Sequence, residues 1–267
     1  MHSKFAATTA ILAAFLFSIV AHADLPLKPP KQGGVYVVAH RGAHQGIPEN
    51  TLAAYERAIE LGCDFVEIDV RTTKDGKFVS IHNATIDAYV IGQTGRVKDM
   101  TLEELRALDI GSKVGEKWKG AKVPTFEEIL DLCKGKIGIY LDLKDAPVPA
   151  LVELVKARGM EHEVIWYVNG SNLDSLRESC GECLEMPDPG PETNLARLIS
   201  EKKPRIIASV WKHCTQNFVK TSQQSGALVI VDEAGTECWD DLLAWGVNGI
   251  QTDHPEELIM RLKRLAR

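Results

Sequence analysis

The sequence predicts an α/β fold built on a parallel sheet, read as an eight-stranded (β/α)8 barrel of the TIM type. Three observations predict it. Short apolar runs alternate with amphipathic stretches along most of the chain, the pattern of buried parallel strands covered by helices. No glycine-rich phosphate loop follows the first strand, where the chain reads His40-Arg-Gly-Ala-His44; that argues against a doubly wound open sheet, the main rival. No linker or low-complexity stretch divides the chain, and barrels of about 250 residues are routinely single domains.

The N-terminus is set apart from that fold. Lys4 precedes the uncharged run Phe5 to Val20, followed by Ala21-His22-Ala23 and the polar stretch Asp24 to Gln32. This is the layout of a signal peptide, residues 1–23, cleaved at a small-x-small site. The run is shorter than the roughly 20 residues of a membrane span, and no other segment is long and apolar enough to be one. The expectation is a mature domain, residues 24–267, that is secreted or periplasmic and makes no stable membrane insertion. With 31 Lys+Arg against 37 Asp+Glu the net charge is −6, which argues against a nucleic-acid partner. Export permits disulfides. Of six cysteines the one close pair is Cys180-Gly-Glu-Cys183, read as a structural disulfide or as free thiols, since no second pair completes a zinc site.

The elements follow in order. Val35–Ala39 is a buried strand bounded by glycines. Leu52–Ile59 has helical periodicity, starts near a Thr51 cap and stops at Gly62. Asp64–Val70 is a strand whose alternation puts Phe65, Glu67 and Asp69 on one side. A turn at Lys74-Asp-Gly-Lys77 leads to a short strand, Phe78–Ile81. The stretch 84–123 is irregular and glycine-rich, with one clear helix at Thr101–Leu108, where Thr101 and Glu104 are spaced as a capping box. After Pro124 the alternation resumes, with strands at 137–143, 164–168, 183–186, 206–210, 228–232 and 247–251 separated by helices. That makes nine strand candidates, one more than a barrel holds, so either 183–186 or 206–210 is expected to be accessory.

In such a barrel the chemistry projects from the C-terminal ends of the strands. Those ends carry His40 and Arg41, then Glu67 and Asp69, then His82, then Asp142 and Lys144, with Glu49-Asn50 just beyond the first strand. Packing does not call for charge at these positions. Two carboxylates on one face of one strand repel unless a cation lies between them, and hard oxygen ligands suit Mg2+ or Ca2+. Arg41 offers a planar fork for phosphate oxygens, and Lys144 a point charge. Metal, Arg, Lys and two histidines describe phosphodiester chemistry better than acyl or hydride chemistry. A serine nucleophile elbow and a dinucleotide fingerprint are both missing.

These residues carry a family resemblance. His40-Arg-Gly, Pro48-Glu-Asn-Thr51, Glu67-Ile-Asp69, Thr73-Lys-Asp-Gly76 and Ile81-His82, in this order and spacing, resemble the signature of the glycerophosphodiester phosphodiesterase family. Leu141-Asp-Leu-Lys144 and Gly246–Asp253 are similar to its later segments. The resemblance implies a TIM barrel with a small insertion after the third strand, residues 84–123. It implies a divalent cation, Ca2+ or Mg2+, held by Glu67, Asp69 and Asp142 with Glu49 close by. It implies His40 and His82 as the acid/base pair and Arg41 and Lys144 on the phosphate. The implied reaction turns a small glycerophosphodiester and water into sn-glycerol 3-phosphate and an alcohol. One histidine would take the proton of the glycerol 2-hydroxyl as it attacks phosphorus, and the other would protonate the leaving alcohol.

Three departures stand out. Asn83 follows the second histidine where the family has Asp. Asp142 stands in place of Glu. Asp232-Glu-Ala-Gly235 replaces a Trp-Thr-Val-Asn segment, which bears on substrate choice; Trp211 is a candidate aromatic wall. The competing readings are a related phospholipase acting on intact lipids and a non-catalytic exported binding protein. The first would want more exposed apolar residues than Tyr89, Val90, Ile91 and Trp118 supply, and the second would not need both histidines.

Overall fold

The computed structural model describes residues 25–266; the leader read at 1–23 lies outside them. In chain order the elements are β1 (Tyr36–Ala39), α1 (Leu52–Leu61), β2 (Phe65–Thr72), β3 (Phe78–Ser80), α2 (Leu102–Ala107), α3 (Phe126–Cys133), β4 (Gly138–Leu143), α4 (Val148–Lys156), β5 (Val164–Tyr167), α5 (Gly170–Ser179), β6 (Leu184–Glu185), α6 (Leu195–Lys202), β7 (Ile206–Val210), α7 (Gln216–Gln224), β8 (Leu228–Asp232), α8 (Trp239–Trp245), β9 (Gly249–Thr252) and α9 (Pro255–Leu265).

Eight strands run parallel in the order β6-β5-β4-β2-β1-β9-β8-β7. The amide of Ala208 on β7 donates to the carbonyl of Pro187, just past β6, at 3.0 Å. That contact brings the two edges of the sheet together, and the result is a nearly closed β/α barrel. The accessory strand is neither of the two segments expected. Strands β6 and β7 are both in the barrel, and the extra strand is β3, which pairs antiparallel with β2. The reason is chain reach. A parallel neighbour needs a crossover of a dozen residues or more, and the tight turn at 73–77, closed by the Thr73 amide on the Lys77 carbonyl at 2.8 Å, returns the chain only as a hairpin.

Alternation along each strand sorts side chains into two cores. Tyr36, Val38, Phe65, Tyr140, Ile165 and Ile230 fill the barrel interior, and Leu25 and Leu27 pack against them. The Tyr36 hydroxyl donates to the Lys28 carbonyl at 2.9 Å, tying this leading segment to the N-terminal end of the barrel. The opposite strand faces, with Val37, Val66, Ile68, Ile139 and Leu141, meet the helices in the larger core. The stretch 84–123 forms a third apolar cluster around Ile86, Val97, Leu105 and Val123 with its own capped helix α2. It is fastened to the barrel by the Trp118 indole, which donates to the Gly46 carbonyl at 2.7 Å. Among the described residues no helix is long and apolar enough to cross a membrane. Cys180 and Cys183 form a disulfide between the end of α5 and β6, and the other four cysteines are buried thiols. Trp211 stacks on Trp245 with ring centroids 5.4 Å apart, so it packs and does not present an open wall.

The loop after β1 decides where the chemistry goes. Gly42 has φ +84°, and a Cβ there would lie 2.7 Å from the Ala54 Cβ and 2.8 Å from its carbonyl carbon. Only glycine supplies both the left-handed turn and the close approach to α1. A Gly42→Ala substitution is therefore expected to destabilise the fold by about 1–3 kcal/mol through strain and overpacking. Chemical denaturation checks this; an unchanged midpoint would remove the glycine requirement.

Candidate active site

The inward face of β2 carries Phe65, Glu67 and Asp69, and parallel pairing sets Asp69 opposite Asp142 on β4. Glu67 and Asp69 are each 1% exposed. Together with Asp142 they offer carboxylate oxygens that all lie within 4.8 Å of one another. Burial and then the charge of Asp69 push the Glu67 carboxyl well above its ordinary range. Burial likewise raises Asp142, against the pull of Lys144.

The surroundings meet this charge in stages. The backbone amide of Arg41 donates to Glu67 Oε2 at 2.8 Å. The Asn50 amide donates to Asp69 Oδ2 at 2.7 Å. Its own carbonyl oxygen takes the hydroxyls of Tyr55 at 2.9 Å and Ser80 at 2.8 Å. Asn50 sits at φ 53° and Arg41 at φ 54°, so the loop from 40 to 51 leaves β1 and returns to α1 through two left-handed residues that are not glycine; the Thr51 hydroxyl then caps α1 through the Ala54 amide. Lys144 Nζ lies 2.7 Å from Asp142 Oδ2 and 3.0 Å from Asp69 Oδ1. Asp69 Oδ1 is buried and accepts no well-aligned hydrogen bond, and Arg41 Nε is buried with no acceptor.

Glu49 does not join the acidic cluster. Its two carboxylate oxygens accept from Arg41 Nη1 at 3.2 and 3.1 Å. Beside this pair opens a pocket of about 360 Å³ between the β1–α1 loop and the insertion, lined among others by Arg41, Glu49, Asn83, Tyr89 and Lys113.

The two histidines reach the mouth by different routes. His40 follows directly on β1, and its Nε2 lies 4.0 Å from Glu67 Oε2. Its Nδ1 meets Asp253 Oδ1 at 2.7 Å. Burial alone would lower the His40 pKa, but the Asp253 hydrogen bond and the charges of Glu67 and Asp232 outweigh it and raise the value to about 9. His82 follows the hairpin strand β3, and the amide of the intervening Ile81 donates to the Asp69 carbonyl at 3.0 Å. Arg71 clamps the His82 carbonyl through Nε at 3.0 Å and Nη2 at 2.7 Å. The His82 ring shares Nδ1 with Asn83 Oδ1 at 2.9 Å.

Several residues of the site were not picked out by sequence. Asp253 serves both His40 and His44, the latter through Nε2 at 3.0 Å. Asp253 lies just past β9, so the strand-end rule that flagged His40 would have found it. Tyr55 carried no such signal, because it does not stand at the end of a barrel strand.

The family profile described as "Glycerophosphoryl diester phosphodiesterase family" matches residues 40–172. The chain is 33% identical over 252 residues to a glycerophosphodiester phosphodiesterase of Caldanaerobacter subterraneus subsp. tengcongensis, covering 85% of this chain and 98% of that protein. It is 27% identical to one of Bacillus subtilis, covering 92% of this chain and 95% of the relative. Among solved structures, a glycerophosphodiester phosphodiesterase from Agrobacterium tumefaciens superposes with TM-score 0.74 at 26% identity, over 85% of this chain and 99% of that one. An Oleispira antarctica phosphodiesterase, in complex with the product sn-glycerol-3-phosphate, shares the fold with TM-score 0.73 at 24% identity, over 85% and 96% of the two chains.

The His40–Asp253 pair has a defined pH signature. A histidine whose pKa rises from 6.5 to about 9 on folding adds stability that is complete below pH 6.5 and lost as pH climbs through about 9. Asp253→Asn is expected to bring the His40 titration down toward the ordinary range and to flatten that limb of the stability profile. Imidazole chemical shifts against pH test it; a midpoint that does not fall would assign the shift to other charges.

Proposed function

Because this chain belongs to the glycerophosphoryl diester phosphodiesterase family, we propose that it hydrolyses small glycerophosphodiesters to sn-glycerol 3-phosphate and an alcohol. The observation that carries the reading is the triplet of buried Glu67 and Asp69 with half-buried Asp142 at the barrel mouth, with His40 and His82 on the flanking strand ends. The triplet fits a divalent cation. All its donors are hard oxygens, and Asp69 Oδ1 is buried, 3.0 Å from Lys144 Nζ but with no well-aligned hydrogen bond. Mg2+ or Ca2+ held there would polarise the phosphoryl oxygens and offset charge at phosphorus.

The chain's own groups do the rest. Arg41 Nε, buried and without an acceptor, and Lys144 Nζ are the donors for the phosphate oxygens. Glu49 holds the Arg41 fork in place through Nη1. One histidine removes the proton from the glycerol 2-hydroxyl, whose oxygen attacks phosphorus as the bond to the alcohol breaks. The other gives its proton to the departing alcohol. Water then opens the cyclic phosphate with the two roles exchanged. The attack is intramolecular, which removes most of the entropic barrier. Asp253 and Asn83 each grip Nδ1 of their histidine, so Nε2 is the working atom on both rings.

The apolar character of the insertion favours small soluble substrates over intact lipids. Tyr89 and Val90 are buried in its core, and only Ile91 and Val114 stand out among its exposed large apolar side chains. Residues 1–23 and the Cys180–Cys183 disulfide support an enzyme that works outside the cytoplasm.

The test is release of glycerol 3-phosphate from a glycerophosphodiester, with and without EDTA. Chelation is expected to abolish turnover and added Mg2+ or Ca2+ to restore it; robust turnover in EDTA would sink the metal assignment. His40→Ala and His82→Ala are each expected to lower kcat by ~10²–10⁴-fold. A fully active single variant would remove that histidine from the acid/base pair.

A further inference from the structure

Strand β2 carries one more charged side chain in the row of its acids. Alternation continues Phe65, Glu67 and Asp69 to Arg71. Pairing with β4 runs only as far as Val70, and Arg71 lies opposite Val79 in the hairpin with β3. Arg71 therefore stands at the rim, past the acidic cluster. Its guanidinium is spent on two other partners. Nε and Nη2 donate to the His82 carbonyl at 3.0 and 2.7 Å. Nη1 donates to Asp145 Oδ2 at 2.9 Å, and Asp145 Oδ1 accepts the Thr72 amide at 2.8 Å. One planar side chain thus ties the segment after β3 to the loop after β4, and both to the end of β2.

The two segments it joins are anchored unequally. Lys144 comes just before Asp145 and has its own supports. Its ammonium lies 2.7 Å from Asp142 and 3.0 Å from Asp69, and its amide donates to the Val70 carbonyl at 3.2 Å. His82 lies outside any helix or strand. Its neighbours are fastened, Ile81 to the Asp69 carbonyl and Asn83, through its amide, to the Tyr89 hydroxyl at 3.0 Å. Among the described residues, the donors that meet the His82 carbonyl itself are the two Arg71 nitrogens. The Arg71 side chain is only 15% exposed, so its hydrogen bonds are little weakened by water. A guanidinium fork holds two acceptors in one fixed plane, which the point charge of an ammonium does not.

Resting on the phosphodiesterase reading above, we propose that Arg71 is a positioning residue of this enzyme: with Asp145 as its far anchor, it fixes the backbone of His82 and through it the place of the His82 imidazole. Arg71 itself touches neither the substrate nor the reacting atoms. Its loss leaves Arg41 and Lys144 on their own anchors but frees the His82 backbone. Proton transfer is sensitive to that freedom, because a misplacement of about 1 Å at a reacting group costs ~10²-fold in rate. The defect therefore falls on turnover and not on substrate binding.

The experiment is a double-mutant cycle on the metal-loaded enzyme with glycerophosphocholine. Arg71→Ala is expected to lower kcat by ~10–100-fold while KM changes by less than about threefold. Arg71→Lys keeps the charge but not the fork, and its kcat is expected to fall between the two. Added guanidinium is expected to restore part of the Arg71→Ala turnover. In a His82→Ala background Arg71→Ala is expected to cost nothing more, because a residue that acts through the imidazole has nothing left to place. A full further loss in that background would overturn the proposal by assigning Arg71 to the fold at large. A raised KM at unchanged kcat would overturn it by making Arg71 a phosphate ligand. Asp145→Asn carries the same comparison should Arg71→Ala fail to fold. It keeps an acceptor for the Thr72 amide but turns a donor toward Arg71, so a several-fold loss of kcat is expected, again absent without His82. Failure of the wild type to turn over would overturn the phosphodiesterase reading itself, whereas an active wild type with equally active Arg71 and Asp145 variants would overturn the positioning role alone.

Discussion

Two carboxylates two residues apart on one buried strand face are the constraint around which the rest of the site is arranged. Glu67 and Asp69 cannot both be ionised in the barrel interior without help, because burial and mutual repulsion both favour the neutral form. The fold answers from several directions: a backbone amide from Arg41, a side-chain amide from Asn50 and the ammonium of Lys144. Each helper in turn needs support. Asn50 reaches Asp69 because the chain turns through left-handed residues at 41 and 50, and because Tyr55 and Ser80 hold its carbonyl end. The loop 40–51 is therefore less a connection than a second wall of the site.

The same economy explains the hairpin. Strand β3 adds nothing to the barrel wall, yet it carries Ser80 into the Asn50 network and His82 to the rim. Arg71, on β2, returns to hold the His82 carbonyl. His40 and His82 are thus each fixed through Nδ1. Asn83 keeps the gripping role with a neutral amide, whereas Asp253 grips His40 with a full charge.

Much of the site was legible at strand ends. Glu67, Asp69, Asp142 and Lys144 were found from strand alternation and position alone, and the structure brings them together. His40, Arg41 and His82 came from the same reading. What alternation could not supply was partnership. Glu49 reads in sequence as one more acid near the cluster, but its carboxylate turns to Arg41. Asp253 and His44 lie more than two hundred positions apart in the chain and meet only because β9 closes against β1. The strand count failed for a related reason. Composition marks Phe78–Ser80 as a strand as clearly as Ile206–Val210, and only the length of the preceding connection says which one can run parallel.

The sequence by itself determined the alternation of strands and helices and hence a barrel, the placement of acids and bases on its strand ends, and the family these motifs belong to. Those features are local: they depend on periodicity of two, on turn residues and on spacing within a motif. The tertiary structure alone decided which carboxylates share one site and that Asp253 is the aspartate that holds His40. These are properties of closure. A barrel sets side by side residues that the chain keeps far apart, and charges interact through the distance that closure sets, not through their separation in sequence.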